Sequence, residues 1–469
     1  MVLALSLSYW QIIRANDLTT DARYNAYRLS EAEKSIKRGR ILDRDGNVLA
    51  RTEEIGDKTR RVYTIPSLAQ VIGFHSAIYG DTGIENKFSG YLLGQVGLDQ
   101  LKAAIDDLLH RPRIGSDVVL TIDSELQDVA AKAMGQGKGA VVVMNPKTGE
   151  ILAMVSNPYF DPNKVDEDWK KIRNDPNSPL LNRAMQGLYV PGSTFKTVTL
   201  TAALDTGATN PSEVFNYDMQ TDEHGKPYHT LNVDGYEVYC ANHGMTSPGH
   251  AALSLADAYA TSCNVTFASL GLRLGSERLT DYARRFGLES TIPMELNVTP
   301  SKLSSGPNLL ATNRPLLAAT SFGQGQLEVT PLQLATIAAT IARGGTSPEP
   351  YLVKEIRTGD SVEETGHPRN WRTVMSPQTA KEVTEIMVHS VDVGWASGAQ
   401  IPGVRVAGKT GTAEVSPDEL PHAVFIGFAP ADDPIVAVAV VRENAGTASA
   451  QAVPVAKKIM EAALSREKH

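Results

Sequence analysis

The sequence predicts an α+β fold in which an antiparallel sheet packs against helices. Alternating apolar runs joined by short turns predict a strand pair over residues 140–156 and a second pair over residues 423–441. A mainly helical stretch separates the two pairs, and a closing helix is predicted over residues 450–463. Strands, then a block of helices, then more strands are typical of an antiparallel sheet with helices on it.

Length and composition narrow the classes of protein that fit. The chain has 469 residues, which favours two or three domains over one. Hydrophobic residues make up 42% and charged residues 21%, so packed cores are expected rather than extended disorder. The net charge is -8 with both signs mixed along the chain, which argues against nucleic acid as a partner. The longest basic cluster, residues 37–40, is expected to be a solvated surface patch.

Residues 1–20 are predicted to be the remnant of a membrane anchor. Val2 to Leu7 is apolar, and Tyr9-Trp10 follows where an interfacial aromatic belt would lie. The apolar run is shorter than the roughly 20 residues that cross a bilayer, so we interpret it as the outer end of a single-pass anchor. An amphipathic start to a first helix is the alternative. The anchor would place the rest of the chain outside the cytoplasm, at the cell membrane.

Residues 21–135 are predicted to form an N-terminal module of mixed α and β structure. Asp45-Gly46-Asn47 is the turn between two short strands, and a helix is predicted over residues 98–109. Ser124 is the expected N-cap of a second helix, which runs to Met134.

Residues 136–469 are predicted to be a single domain. Its best-marked helix follows Thr330 as N-cap, with Pro331 at the first position and Gln333 completing a capping box. Its least regular part, about residues 208–250, is expected to be a surface excursion.

Ser193 and Lys196 form the first pattern that carries chemistry. Pro191-Gly192 marks a helix entry, and residues three apart lie on one face of the first helical turn. A serine hydroxyl becomes a strong nucleophile when a neutral amine takes its proton, and burial near other cations lowers the pKa of a lysine. Taken alone, the spacing is better explained by an N-capping serine beside a solvated lysine, because it often occurs by chance.

Two further patterns supply polar groups. Ser262-Cys263-Asn264 is predicted to join two helices, where the serine can pass a proton and the asparagine can bind a peptide amide. Lys409-Thr410-Gly411-Thr412 follows a strand-like run and offers a fixed cation, hydroxyls for a carboxylate, and a glycine that lets a ligand approach closely.

Residues 403–410 also satisfy a phosphate-loop pattern, but Pro417 and Pro421 prevent the helix that such a loop needs. A P-loop nucleotide hydrolase is therefore a remote alternative.

In this order, the three patterns match the S-x-x-K, S-x-N and K-T-G set of penicillin-binding proteins and serine β-lactamases. From residue 38 onward the chain resembles class B penicillin-binding proteins, the monofunctional D,D-transpeptidases, most of all the actinobacterial penicillin-binding protein A type. Arg38 to Ala50, Phe322 to Gly325 and Ala407 to Glu414 carry much of the likeness. It implies a penicillin-binding, β-lactamase-like transpeptidase fold, with helices on both faces of an antiparallel sheet and an all-helical lobe. A pedestal or dimerisation-type module would precede it.

The resemblance also implies a function: peptidoglycan cross-linking through an acyl-serine intermediate, in cell wall synthesis and septation. Ser193 would attack between the two terminal D-alanines of a stem peptide, with Lys196 as base. Ser262 would pass the proton to the departing D-alanine, aided by Lys409. The implied substrate-binding residues are Asn264, Thr410, Gly411 and Thr412. The implied partners are stem peptides, β-lactams as covalent inhibitors, the membrane, and cell-division or wall-synthesis proteins, with no nucleic acid, cofactor or metal.

Cys240 and Cys263 are the two cysteines of the chain. Outside the cytoplasm they could form a disulfide across about 23 residues, worth about 3 kcal/mol by loop closure. Two reduced thiols, one of them buried beside the site, are the alternative. His243 has a ligand-like spacing from Cys240, but no second ligand pair is evident, so no metal site is predicted.

Two alternatives share the fold. A class A β-lactamase needs a deacylating acid, and Pro293 stands where that acid would precede Glu295-Leu296-Asn297. A non-catalytic β-lactam sensor or scaffold would usually carry a multi-span membrane half, which the sequence does not show. Residues 1–135 are too few for a glycosyltransferase module, which disfavours the class with two activities.

Overall fold

The computed structural model describes residues 36–55, 58–96, 113–225, 227–241, 250–416 and 418–466. The strands β1 to β22 are, in chain order, Ile36–Lys37, Ile41–Leu42, Val48–Ile55, Lys58–Tyr63, His75–Ser76, Gly80–Asp81, Arg113–Ile114, Asp117–Leu120, Gly139–Met144, Ile151–Asn157, Val214–Asp218, Gln220–Thr221, Pro227–Val233, Tyr236–Ala241, His250–Ser254, Thr346–Pro348, Val353–Thr358, Ser361–Thr365, Asn370–Thr373, Ala407–Ala413, His422–Ala429 and Val436–Arg442. The α-helices α1 to α15 are Ala69–Ile72, Gly83–Lys87, Ser89–Leu92, Ser124–Met134, Val165–Arg173, Arg183–Gln186, Lys196–Asp205, Leu255–Ala260, Asn264–Arg285, Leu309–Thr312, Arg314–Ser321, Pro331–Ala342, Pro377–Val393, Ala448–Gln451 and Val453–Arg466. Short 3-10 helices lie at Pro66–Leu68, Pro162–Lys164, Gly192–Phe195 and Ser397–Ala399.

A five-stranded antiparallel sheet, ordered β10-β9-β22-β21-β20, forms the centre of the C-terminal part. Successive side chains of a strand point to opposite faces, and both faces here are apolar. Val141 and Val143 pack with α4 and α15, whereas Val142 and Met144 pack in the cluster that contains α12. The predicted α+β class, with helices on both faces of an antiparallel sheet, is confirmed.

Helices α7 to α11 form a helical lobe beside this sheet. Helix α7 packs against α9 and α13, and its residues 196–204 are all buried. Helix α9 is interrupted at Gly275, whose φ of 73° is not helical. Because α7 is surrounded on all sides, any side chain on its first turn is held in a dry environment.

A six-stranded sheet, ordered β18-β17-β8-β2-β3-β4, joins the two halves of the chain. Strand β17 runs antiparallel to β8, with Glu355 opposite Val119, and β8 runs parallel to β2. Helix α4, which the sequence placed in the N-terminal module, packs on the central sheet through Leu126, Ala130 and Met134. The predicted boundary at residues 135 and 136 is therefore crossed by strand pairing and helix packing.

The basic cluster at residues 37–40 is only partly the solvated patch that its sequence suggested, because Arg38 is buried. Arg38 is 6% exposed, and its Nε donates to Glu85 Oε2 at 2.8 Å. Arg61 Nε donates to the other oxygen of that carboxylate at 2.7 Å. Lys37 and Arg40 are exposed, and Arg40 pairs with Asp117. One buried glutamate thus ties two buried arginines together.

Two helix starts differ from prediction in detail. Asp123 caps α4, since its carboxylate accepts two backbone N–H groups, and Ser124 is instead the first helical residue. Thr330 caps α12 as predicted, with its Oγ1 accepting from the Gln333 N–H at 3.1 Å. The Gln333 side chain donates to the Phe286 carbonyl at 2.8 Å, so the predicted capping box is not completed.

The predicted anchor, residues 1–20, and the helix predicted over residues 98–109 lie outside the described residues. Within the described ranges, no helix combines the length and the apolar character needed to cross a membrane. The prediction of irregular structure over residues 208–250 was wrong, because this stretch contains strands β11 to β14.

Candidate active site

Ser193 lies in the 3-10 turn that opens into α7. The turn fits tightly under strand β20. Gly192 has a φ of +54°, and a Cβ there would come within 3.0 Å of the Thr412 carbonyl oxygen. A Cβ on Gly411 would meet the Pro191 carbonyl oxygen at 2.5 Å. Glycine at these two positions lets the nucleophile and the third motif come into direct contact.

Lys196 connects the first motif, Ser193 to Lys196, with the second motif, Ser262-Cys263-Asn264. Its Nζ lies 2.8 Å from Ser193 Oγ, 2.8 Å from the Ser262 carbonyl oxygen, 3.2 Å from Ser262 Oγ and 2.7 Å from Asn264 Oδ1. Its side chain is fully buried, and burial lowers its pKa to about 8, although the nearby thiols of Cys240 and Cys263 raise it in part. A lysine with this pKa is partly neutral near neutral pH.

The contacts of Lys196 match those of a neutral amine. A neutral amine has two N–H donors and one lone pair, and two neighbours of Nζ, the Ser262 carbonyl and Asn264 Oδ1, are acceptors. When Nζ donates to those two, its lone pair is left for the Ser193 hydroxyl. Lys196 is thus arranged to take the proton of Ser193.

Lys409 lies on the other side of Ser262. Its Nζ donates to Ser262 Oγ at 2.9 Å and to the Thr410 carbonyl oxygen at 3.2 Å. Burial and the charge of Lys196 both lower its pKa well below the usual range. The Ser262 hydroxyl therefore lies between two lysine amines. Ser262 itself has a φ of +64°, which aims the link between α8 and α9 into the site.

A cleft of about 620 Å³ opens above the nucleophile. Ser193, Asn264 and Thr412 lie at its base, and Tyr236 and Tyr239 of the β13–β14 hairpin form one wall. The charged residues that line it are Glu237 and Glu414. The hairpin wall was missed because residues 208–250 were expected to be irregular.

The predicted site residues are largely brought together. Ser193, Lys196, Ser262, Asn264 and Lys409 form one hydrogen-bonded cluster. Of the third motif, Thr412 lines the cleft, whereas Thr410 is buried and Gly411 packs on the nucleophile turn.

Of the two alternatives that the sequence left open for Cys240 and Cys263, the structure has the second, two buried thiols. The Cys263 sulfur is used as the N-cap of α9, where it accepts from the Thr266 N–H at 3.4 Å, and it lies 3.2 Å from His229 Nε2. The ligand atoms of His229, Cys240 and Cys263 all lie within 4.8 Å of one another. His243, the histidine considered from sequence, lies outside the described residues.

Two alternatives lose support from local geometry. Gly408 to Thr410 lie within strand β20, which pairs along its length with β21, so they are not a phosphate-binding loop before a helix. The Glu295 carboxylate accepts from the backbone N–H groups of Leu352 and Val353. The carboxylate oxygens of Glu295 are thereby occupied by backbone groups, and Pro293 stands where a β-lactamase would carry its deacylating acid.

Known proteins share both the sequence and this architecture. Residues 139–461 match the penicillin-binding protein transpeptidase domain, and residues 38–118 match the penicillin-binding protein A dimerisation domain. The peptidoglycan D,D-transpeptidase PbpA of Mycobacterium tuberculosis is 37% identical over 100% of this chain and 96% of its own length. The protein of the same name from Mycolicibacterium smegmatis is 36% identical over 99% of this chain and 96% of its own.

Among solved structures, the ceftriaxone acyl-enzyme complex of M. tuberculosis penicillin-binding protein A is similar at a TM-score of 0.83. It is 38% identical and covers 92% of this chain and 99% of that one. The family match, the sequence similarity over almost the full length and the shared fold all agree with the Ser193 and Lys196 geometry described above. The chain therefore belongs to the class B penicillin-binding proteins, the family of peptidoglycan D,D-transpeptidases.

Proposed function

We propose that the chain cross-links peptidoglycan stem peptides and that Ser193 is the residue it acylates. The observation that carries the proposal is the 2.8 Å contact between Lys196 Nζ and Ser193 Oγ, made by a buried lysine whose pKa falls to about 8. A base with a pKa near the working pH is well matched to proton abstraction.

The acylation step follows from these contacts. The Lys196 amine takes the Ser193 proton as the oxygen attacks the carbonyl between the two terminal D-alanines. The backbone N–H groups of Ser193 and Thr412 would stabilise the oxyanion, and the close packing of Gly192 under Thr412 places those two backbones side by side.

Departure of D-alanine needs a proton on its nitrogen. Ser262 Oγ lies within hydrogen-bond distance of both lysines, so it can pass a proton from Lys196 to the leaving amine while it accepts a hydrogen bond from Lys409. Asn264 at the base of the cleft would hold the stem peptide, and Lys409, Thr410 and Thr412 would receive its terminal carboxylate, with Gly411 allowing the close approach. An amine of a second stem peptide then attacks the acyl-enzyme and forms the cross-link.

β-Lactams would react at the same serine. The relative from M. tuberculosis is known as a ceftriaxone acyl-enzyme complex, and the cleft here offers an amine-activated serine in the same fold. Glu295 is committed to backbone N–H groups, so it is not available to activate water against the acyl-enzyme. We therefore expect a long-lived adduct rather than β-lactam turnover.

The finer cellular setting is also part of the proposal. The enzyme would act at the cell membrane on its outer side, held by a single-pass anchor of which residues 1–20 are the remnant. Residues 21–135 would form a pedestal that docks cell-division or wall-synthesis proteins, and residues 136–469 would form the transpeptidase domain. The match of residues 38–118 to a dimerisation domain supports the docking role.

Benzylpenicillin and intact-mass spectrometry test the acyl-serine site. The protein is incubated with the drug, and its mass is followed over time beside the Ser193→Ala variant. We expect one stable adduct that maps to Ser193 and is missing from the variant. An adduct that disappears as drug is consumed would instead show a β-lactamase, and a folded protein without any adduct would refute the proposal.

A synthetic stem-peptide analogue tests the cross-linking step. The acyl-enzyme is offered a D-amino acid acceptor in water, and both products are quantified. Exchange of the terminal residue in excess of hydrolysis supports a transpeptidase, whereas hydrolysis alone would make the enzyme a carboxypeptidase.

A further inference from the structure

Three ligating side chains converge behind the second motif. His229 of β13 and Cys240 of β14 are directly opposed across the hairpin, so both point to the same face of it. Cys263, the middle residue of Ser262-Cys263-Asn264, meets them there. The three side chains are 1%, 3% and 0% exposed, and they come from three separate elements.

The histidine is held in place but is incompletely bonded. Its ring stacks on Tyr217, with centroids 4.2 Å apart and an angle of 23° between the planes. Its Nε2 lies 3.2 Å from the Cys263 sulfur, whereas Nδ1 is buried and has no hydrogen-bond partner among the described residues. Nε2 is the ring nitrogen that faces the sulfur, so it is the atom placed to bind a ligand shared with the thiols.

The donor set points to a particular class of ligand. Two sulfurs and one imidazole suit soft and borderline ions such as Zn²⁺, whereas Mg²⁺ and Ca²⁺ prefer oxygen. Ligand atoms around a tetrahedral zinc ion lie about 2.0–2.3 Å from the metal, so they are roughly 3–4 Å from each other. The 3.2 Å separation between His229 and Cys263, and the 4.8 Å limit on the whole set, fit this size.

We propose that His229, Cys240 and Cys263 form a binding site for a thiophilic divalent metal ion of the zinc class. Binding would release the two thiol protons, so that two thiolates neutralise the ion in a buried place. Three protein ligands leave the fourth position to a small molecule such as water, as in open zinc sites.

The metal would join the β13–β14 hairpin to the start of α9. Cys263 is flanked by Ser262 and Asn264, both of which contact Lys196. The ion would thus hold the cleft wall and the second motif at a fixed distance. This inference does not depend on which acyl acceptor the enzyme uses.

Cobalt is a suitable probe, because tetrahedral Co²⁺ bound to thiolate absorbs visible and near-ultraviolet light. The full chain is reduced with a phosphine, freed of metal with a chelator and titrated with Co²⁺, after which Zn²⁺ is added in competition. We expect one equivalent of Co²⁺ with thiolate charge-transfer bands, displaced by one equivalent of Zn²⁺.

Variants tie the signal to the cluster. Cys240→Ser and His229→Gln are each expected to weaken binding by at least about tenfold. The matched control is His224→Gln, since that histidine is exposed and lies between β12 and β13. Its titration should equal that of the wild type.

Acylation by benzylpenicillin is measured on the same metal-free samples, so that failure of this inference is separate from failure of the acyl-serine site. A reduced, folded and acylatable protein that shows no thiolate bands would overturn the metal site. A protein whose isolated mass is two hydrogens below that of the dithiol form would carry a disulfide instead. If this protein keeps that mass and takes up no metal, the metal site is also overturned.

Discussion

At the scale of single residues, the site depends on two lysines that have been removed from water. Lys196 and Lys409 are both 0% exposed, and Ser262 Oγ lies between their amines. Burial penalises the charged form of each, and the charge of Lys196 lowers the pKa of Lys409 further. The protein thereby makes a free amine available at Ser193 and holds a second lysine amine on the other side of Ser262.

The rate of acylation should depend on pH through Lys196. Its pKa is lowered to about 8, and only the neutral amine accepts the Ser193 proton. The neutral fraction, and with it the rate, should rise about tenfold per pH unit below about pH 8 and level off above it. Stopped-flow acylation by a chromogenic cephalosporin between pH 5.5 and 9.5 measures this profile. A rate that does not change with pH would contradict the role of Lys196 as base.

Lys196→Arg separates the charge of this residue from its basicity. Arginine keeps a positive charge but does not lose its proton in proteins, so it offers no lone pair to Ser193. We expect the acylation rate to fall by roughly 10²–10⁴ while the protein remains folded, as judged by circular dichroism. A variant that retains most of its rate would show that positive charge, rather than proton transfer, is what Lys196 contributes.

At the scale of elements, close backbone contact holds the nucleophile in place. The turn that carries Ser193 touches β20 on one side and the segment of Gly323 on the other. Gly323 has a φ of +94°, and a Cβ there would lie 1.7 Å from the Gly192 carbonyl oxygen. Both the conformation and the contact exclude a side chain at this position.

Gly323→Ala should therefore displace the Ser193 turn. We expect the acylation rate to fall at least about tenfold and stability to drop by about 1–3 kcal/mol. Gly225→Ala is the control, since Gly225 also has a positive φ but a Cβ there meets no atom within 4 Å. Denaturant unfolding and acylation kinetics of both variants provide the comparison. Equal loss of rate in the two would assign the effect to backbone strain alone.

How well a contact could be predicted from the residues alone depends on how far apart its two residues lie along the chain. Ser193 and Lys196 are three residues apart, so helical geometry alone brings them together. The contacts of Lys196 with Ser262 and of Lys409 with Ser262 span 66 and 147 residues and depend on tertiary packing. They were expected only because the three motifs occur together in a known family.

The β13–β14 hairpin was missed although its turn was readable. Asp234-Gly235 between two alternating runs is a strong hairpin signal, and both residues have the positive φ that such a turn requires. The many polar residues around it obscured the signal. His229 lies near Cys240 in the sequence but was not linked to Cys263, because the two side chains come together only when the hairpin packs on α9.

At the scale of the whole molecule, a buried charge cluster stabilises the N-terminal half. Glu85 is 0% exposed and accepts from both Arg38 and Arg61. Removing the carboxylate leaves two arginines without their shared counter-charge in a dry place. Loss of one partner of a buried ion pair is far more costly than loss of an exposed pair.

Glu85→Ala should lower the free energy of unfolding by about 3–5 kcal/mol. Arg40→Ala, which removes an arginine that is 54% exposed beside Asp117, should cost less than about 1 kcal/mol. Urea unfolding followed by fluorescence measures both. Similar losses in the two variants would contradict the importance that we assign to burial. The folded fraction of either variant should still be acylated by benzylpenicillin at the wild-type rate.

The six-stranded sheet has a consequence for how the chain matures. Strand β8 has β2 on one side and β17 on the other, and β17 follows β8 in the chain only after the whole nucleophile-bearing lobe. As the polypeptide is made, β8 must wait with one open edge until residues 353–358 follow. An open strand edge is a template for pairing with another chain. Newly made protein should therefore pass through an aggregation-prone intermediate, and a chaperone that holds this intermediate would raise the yield of folded protein.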